Sequence, residues 1–219
     1  MKVALVVPAF NESDTIANVV AKISIYGVPI VVNDCSTDNT AQLALAAGAI
    51  VISHAVNIGY DAALATGLAK AMGEDFDYAI TFDGDGQHEP SRIESVLNEL
   101  IYGADLVVGI RDRCQRFSES LFAWFTRILW GISDPLCGMK GYRLSKLKGV
   151  RSLCSYRSIG TELTIRGVRS GWKVGQVPVT MIARKGQSRF GSGFYANWLI
   201  FRAMLHGLIF ARSFSMEIL

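Results

Sequence analysis

VALVVPAF, residues 3–10, is an unbroken apolar run rich in β-branched side chains, and Asn11 and Glu12 follow it directly. A strand with one wet face alternates apolar and polar residues. This run has no polar member, so it predicts a strand buried on both faces. The pattern returns in PIVVND (29–34), AIVISHA (49–55), YAITFD (78–83) and DLVVGI (105–110). Helical patterns lie between these runs. Ile16, Val19, Val20 and Ile23 share one helical face in a helix reaching about Ile25, with Ser13 or Asn11 as its cap. Ser36 to Asp38 supply caps for a helix through about Ala47, and Gly59–Met72 is rich in alanine and leucine. Pro90 suits the first turn of a helix carrying Ile93, Val96, Leu97 and Leu100. Strands alternating with helices predict βαβ units, right-handed crossovers and an α/β domain whose mostly parallel sheet has helices on both faces.

Ligands of such sheets bind beyond the carboxyl ends of the strands. The polar clusters of this chain fall there: Asn11 and Glu12 after the first run, Asn33 and Asp34 after the second, His54 and Asn57 after the third, Asp83 and Asp85 after the fourth, Arg111 after the fifth. Five strand ends on one rim make a site. Asp83 and Asp85 stand one glycine apart, and two carboxylates that close raise each other's pKa unless a cation lies between them. With Gln87 they form an array of hard oxygen ligands suited to Mg²⁺ or Mn²⁺ that also binds substrate phosphates. Asp and Gly also build solvated turns, so the strand-end position is what favours a metal. Hard-oxygen sites do not select imidazole, so His54 and His88 read as hydrogen-bonded structural residues.

With 219 residues the chain can build one substantial core. Half the residues are hydrophobic and 19% are charged, which leaves apolar groups for the surface. The formal charge is +3, and no basic run is interleaved with aromatics, so nucleic acid is not an expected partner. Cys35, Cys114, Cys137 and Cys154 form no CxxC pair; neither a zinc site nor a disulfide framework is indicated, and reduced thiols in the cytoplasm are the simplest expectation. Cys35 and Cys137 lie in motif loops without a paired base and read as bystanders.

Beyond residue 112 the alternation weakens. Residues 117–132 read as a helix, CGMKGYR (137–143) as a glycine-rich loop, 160–171 as a helix, 173–182 as a late strand and 183–193 as a mobile loop. LFAWFTRILWGI (121–132) and FYANWLIFRAMLHGLIF (194–210) fall short of a membrane span of roughly 18 apolar residues. They suit either core helices or helices lying in a membrane interface. The division expected is a domain over 1–192 and an apolar segment over 193–219 that forms an amphipathic helix.

PAFNE (8–12), NDCSTDNT (33–40), NIGYDAALATG (57–67), DGDGQHEP (83–90), GIRDR (109–113), DPLCGMKGYR (134–143) and RKGQSRFG (184–191) occur in an order that resembles the family-2 inverting glycosyltransferases of the GT-A fold. Within that family the chain is most similar to the polyprenyl-phosphate sugar transferases. The resemblance implies that Pro8, Ala9, Asn11, Glu12, Asn33, Asp34, Asn57 and Gly84 hold a nucleotide-sugar donor, and that Asp83, Asp85 and Gln87 hold Mg²⁺ or Mn²⁺ and the diphosphate. It implies that Arg184 and Arg189 close on the phosphates, with Arg111 and the 138–143 loop near the acceptor, a lipid-linked phosphate. Location follows as cytoplasmic and peripheral at the inner face of the cell membrane, with a second copy or a membrane subunit as open partners. Asn33 departs from the usual acid, Gln176 from the usual glutamate, and Gly84 from the commoner alanine.

A phosphate acceptor is already anionic and needs no general base, whereas a sugar hydroxyl does. Asp134 and Glu162 are the acids placed where such a base would stand. Transfer to a hydroxyl in cell-surface polysaccharide assembly, a nucleotidyltransferase releasing pyrophosphate, and a catalytically silent binding module are the alternatives.

Overall fold

The computed structural model describes residues 1–112, 117–148, 153 and 158–181. The run that opens the chain is strand β1 (Val3–Ala9), buried along its whole length. Its side chains alternate between two cores. Val3, Leu5, Val7 and Ala9 enter one, Ala4 and Val6 the other, and this double burial is why no polar residue interrupts it. Strands β2 (Val28–Asn33), β3 (Ile50–Ser53) and β4 (Tyr78–Thr81) run parallel to it in the order β3-β2-β1-β4. Helix α1 (Ile16–Ile23) buries the predicted face Ile16, Val19, Val20 and Ile23. Helices α2 (Thr40–Ala46), α3 (Tyr60–Gly73) and α4 (Arg92–Ile101) complete the crossovers. Ile16, Val20, Ile93, Val96 and Leu100 of α1 and α4 pack on one face, Leu64 and Leu68 of α3 on the other.

Neither Ser13 nor Asn11 caps α1: the helix starts after Thr15 without a side-chain cap. Both residues are otherwise employed. Ser13 N donates to Asp38 Oδ2 at 3.1 Å, and Asn11 adopts a left-handed conformation with φ 53°. Asp38 does anchor the start of α2, accepting from Thr40 N at 3.0 Å.

β5 (Leu106–Arg111) does not pair with β4. Between them lies β6 (Lys140–Arg143), antiparallel to both, in the segment read above as a loop. Its four residues carry no apolar run, because Gly141 lies where helix α4 presses on the sheet: a Cβ there would stand 2.5 Å from Val96 Cγ1. Partners on both sides satisfy its backbone, so the strand survives with little β propensity of its own. β7 (Val174–Val179) pairs parallel to β5 and closes the order β3-β2-β1-β4-β6-β5-β7. Two reversals restore direction, so β5 ends on the same rim as β1 to β4.

Helix α5 (Phe117–Trp130) follows β5, then the short α6 (Leu144–Leu147) and α7 (Ile159–Arg169). Phe122 and Thr126 of α5 are buried, whereas Leu121, Trp124, Ile128 and Leu129 are exposed. Among the described residues no helix is long and apolar enough to cross a membrane. The expected loop over 183–193 and the apolar segment over 193–219 lie outside the described residues.

Candidate active site

The rim is assembled loop by loop. Pro8 and Ala9 end β1 in register with Val32 and Asn33 of β2. Beyond them Asn11 N donates to Ser36 Oγ at 2.9 Å, Asn11 Oδ1 accepts from Thr37 N at 2.8 Å, and Glu12 N donates to Thr40 Oγ1 at 2.7 Å. Gly84 is buried against the Pro8 carbonyl, and its own oxygen accepts from Thr15 Oγ1 at 2.7 Å. These bonds join the loops after β1, β2 and β4.

Asn33 and Asp34 are buried at the end of β2. Asn33 Nδ2 donates to Ser53 Oγ and its Oδ1 accepts from Ser36 N. Asp34 accepts from His54 Nδ1 at 2.8 Å, Ile58 N at 3.0 Å and Gly59 N at 2.7 Å; Asn57 Nδ2 donates to its carbonyl. His54 Nε2 in turn meets Thr66 Oγ1 at 3.0 Å. Asp34 therefore ties the 54–59 loop to the rim, and His54 is the structural residue expected. Burial alone would raise this carboxyl, but the bonds from His54, Ile58 and Gly59 outweigh it and hold its pKa below the ordinary 3.8. A depressed acid contributes stability that is complete above its unfolded pKa and is lost as pH falls through its folded one. Urea midpoints should thus fall as pH drops below about 4, and Asp34→Asn should flatten that fall. An unchanged slope in the variant would contradict the assignment.

Asp83 and Asp85 occupy the turn after β4. Asp83 Oδ1 accepts from Tyr60 Oη and Oδ2 from His88 Nε2, both at 2.8 Å. Burial pushes this carboxyl up, but His88, Tyr60 and the charge of Lys140 bring it below the ordinary value, so it is ionised. Gly138 abuts it so closely that a Cβ would lie 2.4 Å from Asp83 Oδ2. Asp85 Oδ1 accepts from Gln87 N at 3.0 Å. Among the described residues no three His, Cys, Asp or Glu side chains gather as a metal cage. Two carboxylates and the Gln87 amide nevertheless suit Mg²⁺ or Mn²⁺, which keeps water and fills its other positions with substrate phosphates.

Lys140 is 3% exposed, and its Nζ donates to the Cys137 carbonyl. Burial lowers its pKa. Burial also pushes the Cys137 thiol up to about 11, which makes it the inert bystander expected.

Arg111 is not an open cation at the acceptor side. Its Nε and Nη2 donate to the Asp134 carboxylate at 2.7 and 3.0 Å, and Nη2 lies 3.2 Å from Glu119 Oε2. Two buried carboxylates thus commit its charge. Asp134, a candidate general base, also accepts from the Arg111 and Leu136 backbone N–H groups at 3.1 and 3.2 Å. Its acceptor sites are filled, which unsuits it to receive a proton. Glu162 is buried on the first turn of α7 rather than facing solvent, with Arg166 Nη1 3.1 Å away. Arg184 and Arg189 lie outside the described residues. His88, expected as a hydrogen-bonded structural residue, is buried and bonded to Asp83; Tyr60, Lys140 and Gly138 carry no chemical signature of their own in the sequence, and the glycine-rich 137–143 stretch is the one available signal, pointing to close packing.

A strand-end acid pair in this sheet is shared by many phosphate-binding enzymes, and comparison with known proteins decides among them. Residues 4–145 match the family model described as glycosyl transferase family 2.

The chain belongs to glycosyl transferase family 2.

Among curated relatives of this family, it is 27% identical to the UDP-N-acetylglucosamine--dolichyl-phosphate N-acetylglucosaminyltransferase of Methanococcus voltae, over 92% of this chain and 94% of that one. It is 26% identical to the undecaprenyl-phosphate mannosyltransferase of Micrococcus luteus, over 88% and 89%. A solved structure of glucosyl-3-phosphoglycerate synthase from Mycobacterium tuberculosis, in complex with Mn²⁺, uridine-diphosphate and phosphoglyceric acid, superposes with a TM-score of 0.74 at 21% identity, covering 94% of this chain and 78% of the other. The fold is the GT-A α/β fold of glycosyltransferases.

Proposed function

We propose that this protein is a metal-dependent, inverting glycosyltransferase that moves a hexose from a nucleotide sugar to a polyprenyl phosphate at a membrane surface. The observation that carries this reading is the placement of Asp83 and Asp85 in the turn at the carboxyl end of β4, tied to the loop after β1 by the Thr15–Gly84 bond and to the start of α3 by the Tyr60–Asp83 bond, on the same rim as the Asn11–Glu12 and Asp34–Asn57 loops. Those loops bracket a nucleoside, and the acid turn receives its diphosphate. A divalent cation bound there would offset the charge that builds on the leaving diphosphate. The chain's own contribution is orientation. Asp34 fixes the 54–59 loop, the Thr15–Gly84 bond fixes the acid turn against β1, and Arg184 and Arg189 would exclude water when the donor is bound.

The acceptor reading draws on what the two candidate bases do. Asp134 is consumed by Arg111 and Glu162 is buried beside Arg166, and an anionic phosphate oxygen needs neither. The exposed face of Leu121, Trp124, Ile128 and Leu129 on α5 suits contact with a lipid interface. The relatives named for dolichyl and undecaprenyl phosphate point the same way.

The test is a panel of UDP- and GDP-sugars with and without Mn²⁺, offered with polyprenyl phosphate in vesicles or with soluble sugar acceptors. Expected is metal-dependent release of nucleoside diphosphate with label passing to the lipid. Label found only on hydroxyl acceptors, or pyrophosphate released from a nucleoside triphosphate, would replace this reading.

A further inference from the structure

We propose that Tyr60 and His88 are positioning residues that fix the Asp83 carboxylate for a divalent cation, each by donating one hydrogen bond to a different oxygen. This rests on the reading of the acid turn as a metal site. Because a carboxylate that holds a cation is deprotonated and can only accept, the hydrogen on the imidazole bond is assigned to His88 Nε2. A carboxylate has about four lone-pair positions, and two donors leave the rest open.

The environment of His88 makes its presence informative. Its side chain is 1% exposed, its ring meets Phe82 edge-on at 5.7 Å, and Nδ1 has no hydrogen-bond partner among the described residues. A leucine or methionine would fill such a site without burying an unpaired nitrogen, which is unfavourable. What a histidine adds is the Nε2 donor, and that donor is spent on Asp83.

Tyr60 arrives from a different element. It is the first residue of α3, directly after Gly59 at φ 95°, and Asp34 holds the Gly59 N–H. The Tyr60 hydroxyl donates to Asp83 Oδ1 at 2.8 Å. Gly138 presses on the carboxylate from a third side. Asp83 is thereby fixed from α3, from its own turn and from the β6 side, and its rotamer is set before any cation arrives. Residues that orient a ligating side chain in this way typically cost about 10- to 100-fold in metal affinity when removed.

Titrating Mn²⁺ alone into the full chain, by calorimetry and by the loss of the free Mn²⁺ paramagnetic resonance signal, tests this without turnover. Tyr60→Phe and His88→Phe are each expected to weaken Mn²⁺ about 10- to 100-fold. His88→Gln, which keeps an N–H, should recover most of the loss. Asp85→Ala should abolish binding. If Tyr60→Phe and a folded His88→Phe bind Mn²⁺ like the parent while Asp85→Ala does not, the proposal is overturned and the metal reading stands. If Asp85→Ala also binds normally, the metal reading falls first. If His88→Gln binds no better than His88→Phe, the hydrogen bond is not the cause and the role of His88 is overturned. Should His88→Phe fail to fold, Tyr60→Phe decides by itself, since Tyr60 is 40% exposed and the substitution removes only its hydroxyl.

Discussion

Asp85→Ala is expected to lower sugar transfer by at least a factor of about 10² to 10³, the range seen when one preorganised electrostatic contact to a developing charge is deleted. The fold should remain. Asp85 sits in a turn after β4 and its side chain accepts from the Gln87 N–H, a bond whose loss costs about 1 kcal/mol. The hydrophobic layers on either face of the sheet do not involve it. Comparing turnover with the urea midpoint separates the two effects. A variant that transfers sugar at the parental rate would remove the acid turn from the mechanism.

The opposite pattern is expected at Asp134. Its carboxylate takes four hydrogen bonds, two from the Arg111 guanidinium and one each from the Arg111 and Leu136 backbones. Asp134 is buried and Arg111 largely so, with side-chain exposures of 5% and 11%. Removing one member of such a pair leaves a charge with reduced compensation, at a typical cost of 3 to 5 kcal/mol. Glu119 still touches Arg111 at 3.2 Å, so about 3 kcal/mol is the figure for Asp134→Ala. Urea unfolding would measure it. If Asp134 were instead a proton acceptor in the reaction, Asp134→Asn would keep its urea midpoint and lose kcat, and that result would reverse the structural assignment.

The two halves of the sheet differ in how far their sequence betrays them. β1, β2 and β4 are enclosed on both faces, and burial on both faces writes itself as consecutive apolar letters. Lys140–Arg143 is enclosed as well, but Gly141 is kept small for α4 and Lys140 is directed at the Cys137 carbonyl, so the pattern is absent. The rim was legible because polar residues after apolar runs fall at strand ends: Asn11, Asp34, Asp83 and Asp85 all lie there. Pairings across the chain were not. Nothing near Arg111 announces that Asp134, 23 positions on, will occupy it, or that Tyr60 will reach Asp83 across the same interval. The caps expected for α1 failed for a related reason. Ser13 and Asn11 look local, yet both bond to the loop after β2.

The inserted strand also sets an order of assembly during synthesis. β1 to β4 can join as they emerge, because each finds its neighbour among residues already made. β5 follows β4 in the chain and cannot dock beside it, since the place between them belongs to residues 140–143. Until those residues leave the ribosome, β4 presents an open hydrogen-bonding edge to any passing strand. A nascent chain halted before that point is therefore a natural client for chaperones.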